Sequence, residues 1–142
     1  MSGVLVDRRI DDRNADAIAP EPASAEAPAG AAVAALLGAM FGMLTLAVVN
    51  VFTTASPGFT AWVHSVGKLW MPGAAGIGPY SGKETLAAVA WIASWALCAL
   101  AFGHKELSLS RWLIVFLIGV GIATTLIWPP VFEYLAEILG GH

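Results

Sequence analysis

Three long apolar stretches organise the chain, and almost no charge falls inside them. Ala31 to Thr53 runs for 23 residues without an Asp, Glu, Lys, Arg or His. A helix rises 1.5 Å per residue, so about 20 residues cross the hydrocarbon core of a bilayer. The first run therefore predicts a transmembrane helix over 31–53. The second run, 85–103, holds seven Ala and only six larger aliphatic or Phe residues. That composition drives insertion only weakly, so a helix there is expected to have protein rather than lipid around it. The third run, 111–128, ends in Trp128-Pro129-Pro130, where two prolines remove backbone donors and stop or kink a helix. Only the short polar segment 104–110 separates runs two and three, so they are expected to be antiparallel neighbours.

Two shorter segments alternate at helical spacing. Phe59, Trp62, Val63, Val66 and Trp70 share one face, while Thr60, His64 and Lys68 share the other. This predicts an amphipathic helix over 58–71, suited to the membrane interface. Gly73, Gly76, Gly78, Pro79 and Gly82 then suggest an irregular loop. Over 130–139, Phe132, Leu135 and Leu139 oppose Glu133 and Glu137, which predicts a second amphipathic helix. Residues 1–29 are polar, then rich in Ala and Pro, with no apolar period; they read as a disordered or extended tail. The apolar run that follows is too long for a signal-peptide core. The fold class is thus an all-α integral membrane protein: three transmembrane helices, two interfacial helices and an extended N-terminal tail.

Composition sharpens this reading. Of 142 residues, 58% are hydrophobic and 12% charged, and the mean hydropathy is +0.75. Soluble domains carry about 25% charged residues. The net charge is -3. No basic stripe exists, which excludes a nucleic-acid binder. A single Cys excludes a disulfide framework. Of the seven Lys and Arg, five lie in the tail and the 104–111 connector and two in the 55–84 loop. The excess of positive charge puts the N-terminus and the connector in the cytoplasm and the long loop and C-terminus outside, as in a bacterial inner membrane.

Candidate chemistry is sparse. Proton relays and ion pathways need titratable groups at membrane depth, and the three runs hold none. A solute path would rest on Thr45, Asn50, Ser94, Thr124 and Thr125. The stretch from Gly76 to Lys83 fails as a phosphate loop, because Ile77 holds the first Gly position and Glu84 the Ser/Thr position. No nucleophile and base fall together, so no enzyme is expected. His64 and His104 are each candidate ligands for a haem or chlorophyll, or polar residues facing headgroups. Trp91 and Trp95, four apart in the second run, either stack on a quinone or pigment or fill a gap between helices. Cys98 reads as a small hydrophobe. Glu84 and Lys105 are expected to complement the dipole at the two ends of the second helix.

The clearest pattern is structural. Gly30, Ala34, Gly38 and Gly42 recur every four residues and form a face that another helix can approach closely; Gly119 and Ala123 offer the same on the third run. The first of these faces is expected to hold a partner chain. The functional expectation is a non-catalytic accessory subunit of a larger membrane complex, by analogy of architecture an energy-converting one such as a respiratory or photosynthetic complex. The alternatives are a homo-oligomeric transporter or channel and a pigment- or haem-binding subunit. The expected partners are other membrane subunits and the bilayer, with no nucleic acid. No cofactor is required, and contact is expected at most with lipid, quinone or pigment. No motif identifies a family.

Overall fold

The computed structural model describes residues 28–71, 73 and 78–140. The tail expected over 1–29 lies outside the described residues except for its last two positions. Among the described residues the regular structure is helical: α1 Ala29–Ala55, α2 Pro57–Lys68, α3 Tyr80–Phe102, α4 Leu109–Ile127 and α5 Pro129–Gly140. Three of them, α1, α3 and α4, are long and apolar enough to cross a membrane.

The helix ends follow local chemistry. Ser56 stops α1 in an extended conformation and caps α2, its Oγ accepting from the Phe59 N–H at 3.3 Å. Pro57 takes the first turn of α2, where its missing donor costs nothing, and Lys68 complements the dipole in the last turn. At the far end Trp128 is extended, and α5 opens on Pro129. The prolines therefore end one helix and begin another, because a residue before proline is pushed out of the helical region. The first turn of α1 has no side-chain cap. Its Gly30 N–H instead donates to the Lys105 carbonyl of the distant connector, at 3.1 Å.

α1 is the centre of the molecule. It packs against α3 along one face and α4 along another, and both short helices also touch it. α3 and α4 are not packed along their lengths against each other. This corrects the expectation that runs two and three are direct neighbours. The connector between them is short, but it spans α1, and its Lys105 carbonyl sits on the start of that helix. α3 and α4 meet near the connector, where the Phe102 and Trp112 rings stack with centroids 6.3 Å apart. The core lies on the α1 side of this contact: Val33, Leu37 and Met40 are buried, with Cys98, Phe102, Leu107, Trp112 and Phe116 packed against them.

α2 and α5 both lie at the C-terminal end of α1. Ser56 alone separates α2 from α1, and Ala136 of α5 is buried beside Thr54 and Ala55. α3 starts five residues earlier than the hydrophobic run indicated, so Gly82, expected in a loop, is helical. Lys83 consequently falls in the first turn and Glu84 in the second, while Lys105 lies beyond the last turn. The expected dipole pairing of Glu84 and Lys105 is therefore absent. Lys105 places its ammonium over the Phe102 ring instead, 5.8 Å from the centroid.

Candidate functional site

The small-residue face of α1 is occupied by the chain's own α3. A Cβ added at Gly38 would sit 2.7 Å from Trp95 Cβ and 3.1 Å from its Cα. One added at Gly42 would sit 2.9 Å from Trp91 Cβ. One at Gly30 would overlap the Phe102 carbonyl. Ala34 is fully buried in the same row. Small residues here let two helix backbones approach closely. The expectation that a partner chain fills this face is corrected: α3 fills it. On the opposite seam Gly119 is buried and accommodates the Met40 thioether, and Ala123 is fully buried nearby on α4.

This seating explains the two mid-helix tryptophans. Their backbones and Cβ atoms press on Gly38 and Gly42, and their rings splay outward. Trp91 remains 50% exposed and Trp95 47%. Their Cβ atoms belong to the α1–α3 contact, while about half of each residue's surface stays uncovered by the chain. Beside Trp91 a shallow groove of about 290 Å³, walled by Gly42, Met43, Leu46 and Ala87, opens on the outer surface.

A second seam joins α2 to the start of α3. Gly67 lies against Ser81, and Gly82 against the Val63 backbone, so tightly that a methyl group at either position would overlap its neighbour. The Trp70 indole N–H donates to Thr85 Oγ1 at 2.8 Å across the same seam. Sequence reading missed Gly67 and Gly82 because they come from two different helices. The spacing from Val63 to Gly67 and the Ser81-Gly82 pair were the available signals.

Polar groups gather where α1, α2 and α5 meet. His64 Nδ1 donates to the Gly78 carbonyl at 2.6 Å. Lys83 Nζ donates to Asn50 Oδ1 at 2.8 Å. Thr53 and Thr54 both donate their hydroxyl protons to the Asn50 carbonyl, at 2.9 and 3.0 Å. Thr60 turns its hydroxyl on the Thr53 and Ser56 carbonyls. A cavity of about 490 Å³ opens among Thr53, Thr54, Thr60 and His64. A neighbouring one of about 280 Å³ lies among Thr54, Pro57, Glu133 and Glu137.

The four residues weighed for pigment or haem contact are spread out. His64 stands at the C-terminal end of α1. His104 is exposed in the connector that meets its N-terminal end. Trp91 and Trp95 lie between, and the groove at Trp91 shares no lining residue with the cavity at His64. Among the described residues, no group of three or more His, Cys, Asp or Glu could hold a metal ion. Four of the five residues of the possible solute path make local hydrogen bonds. Asn50 holds Lys83, and the Ser94, Thr124 and Thr125 hydroxyls donate to carbonyls one turn back in their own helices.

No family model, curated protein or solved structure matches this chain.

Proposed function

We propose that this chain is a membrane-embedded, non-catalytic accessory subunit, packed against the core of a larger membrane protein complex. The observation that carries the reading is the state of α3. It is an Ala-rich helix whose mean hydropathy of 1.9 equals that of α4 and falls below the 2.3 of α1. Yet none of its apolar stretch is buried within the chain, against 44% for α1 and 11% for α4. Its outer surface carries Val89, Trp91, Ile92, Trp95, Leu97 and Leu100, all exposed. Mid-membrane tryptophan needs an acceptor for its N–H, which lipid chains do not offer and a neighbouring subunit does.

In this reading α1 is the internal post of the subunit. α3 supplies the docking surface, α4 the flank, and α2 with α5 the cover at one membrane face. The connector side is cytoplasmic and the α2/α5 side is external, following the distribution of Lys and Arg. The Ser94, Thr124 and Thr125 hydroxyl protons are committed to carbonyls of their own helices and the Asn50 amide oxygen to Lys83, which favours this reading over a channel.

The test is isolation in mild detergent through a C-terminal tag, with and without Leu97→Ala and Leu100→Ala on the outer surface of α3. Stoichiometric partner chains that are lost in the double variant support the reading. A partner retained undiminished would move the docking surface elsewhere.

A further inference from the structure

We propose that the paired cavities at the C-terminal end of α1 bind a lipid headgroup that carries a primary ammonium. Thr53, Thr54 and Thr60 each own one hydroxyl proton, and each proton is spent on a backbone carbonyl. His64 spends its Nδ1 proton on the Gly78 carbonyl, which can only accept. In the neutral ring this leaves Nε2 as a bare lone pair. The residues lining the larger cavity therefore carry acceptors: three hydroxyl oxygens and one imidazole nitrogen.

The smaller cavity shares Thr54 and Pro57 with the larger and adds the Glu133 and Glu137 carboxylates. Among the described residues, no Lys or Arg lines either cavity. The combined site is rich in acceptors and negative. Its complement is a cation with several N–H donors. A metal ion is a poorer fit, because threonine hydroxyls and one imidazole are a weak donor set and, among the described residues, no group of three or more His, Cys, Asp or Glu could hold one.

The site lies where α1 ends and the chain turns at Ser56-Pro57 into α2, with Trp62 exposed on that helix. On the membrane reading of α1, on which this inference rests, that is the headgroup level. The ammonium of phosphatidylethanolamine arrives there already concentrated and oriented by the bilayer.

Phosphatidylcholine supplies the discriminating probe. Its headgroup carries the same positive charge but no N–H. The protein is reconstituted with equal amounts of phosphatidylethanolamine, phosphatidylcholine and phosphatidylglycerol of identical acyl chains, then purified, and the retained lipid is counted by native mass spectrometry. Losing one charge-assisted hydrogen bond corresponds to about a tenfold change in binding. The expected result is about tenfold retention of phosphatidylethanolamine over phosphatidylcholine, with phosphatidylglycerol not enriched. The preference should fall towards parity in His64→Phe. It should also fall in the double variant Thr54→Val, Thr60→Val, which keeps side-chain shape if His64→Phe disturbs the fold.

Equal retention of the two zwitterionic lipids overturns the proposal, as does enrichment of phosphatidylglycerol. Ethanolamine or spermidine binding to delipidated protein without lipid preference overturns the lipid assignment. Carbonate extraction separates the two levels. A chain released by carbonate refutes the membrane reading itself, whereas a resistant chain with no headgroup preference refutes this inference alone.

Discussion

Replacing Gly38 with alanine adds one methyl group at a close crossing of α1 and α3. The new Cβ would lie 2.7 Å from Trp95 Cβ and 3.1 Å from Trp95 Cα. Carbon atoms in comfortable contact are about 3.5–4.0 Å apart, so α3 must retreat by roughly 1 Å. The obstacle is backbone and Cβ, and no rotamer change can relieve it. Overpacking of this kind costs about 1–3 kcal/mol, and Gly38→Leu should cost more. Gly121→Ala is the internal control. Gly121 is exposed on α4 with open space where its Cβ would stand, and alanine is the better helix former there. Two readouts apply in detergent. Thermal unfolding followed by tryptophan fluorescence should move down by several degrees in Gly38→Ala and stay level or rise in Gly121→Ala. Cys98, the single cysteine, packs from α3 against the buried cluster on α1 and is a local reporter. Its alkylation by a small maleimide should accelerate when α3 is unseated. If Gly38→Ala unfolds and labels like Gly121→Ala, the close α1–α3 seam does not exist as described.

Other perturbations read other joints. Asn50→Leu removes the amide oxygen that holds the Lys83 ammonium at 2.8 Å, which should cost about 1.5–3 kcal/mol; in a Lys83→Met background the cost should shrink, and a double-mutant cycle without coupling would dismiss the pair. Gly82→Ala should lever α2 off α3 through the Val63 backbone, seen as faster proteolysis in the 69–79 segment while the α1–α3 unfolding is little changed. Trp112→Ala removes the ring stacked on Phe102 and part of the packing on Val33 and Leu37, and truncation of a packed aromatic should lower stability by about 3 kcal/mol or more; a change under about 1 kcal/mol would mean the two rings carry little. Deleting residues 2–25 should leave membrane insertion intact by carbonate extraction, since insertion is attributed to the three apolar helices.

The three long apolar helices were legible because their signal is one-dimensional. An uncharged apolar run of the right length has few other readings: α1 contains the run 31–53, and α3 and α4 cover 85–103 and 111–128 up to the last residue of each. The Trp128-Pro129-Pro130 break was legible for the same reason, since proline acts on its own neighbours. Features made by two distant segments were hidden. Ser81-Gly82-Lys83-Glu84 reads as loop when judged by hydropathy; in the fold it is the start of α3, packed closely on Gly67 and Val63 of α2. The order of helices in the layer was hidden as well. A six-residue connector allows direct contact, but it also allows a path over the end of α1, and the Gly30–Lys105 hydrogen bond fixes the second. The small-residue stripe announced a close approach without saying whose helix approaches. The cavity at His64 was the least legible feature, because Thr53, Thr60 and His64 belong to two helices and the carbonyls that take their protons are set by how those helices meet.

The central claim is that α3 is a docking surface and that this chain works inside a larger membrane assembly. The most direct measurement replaces Leu97, Ile92 and Trp95 in turn with a photo-crosslinking amino acid in the native membrane, with exposed positions on α4 such as Ile114 and Ile118 as controls. The account predicts one defined crosslinked partner chain from the α3 positions, in stoichiometric yield, and far weaker protein crosslinks from α4. Crosslinks to lipid alone from α3, with the chain migrating as an isolated monomer, would contradict it.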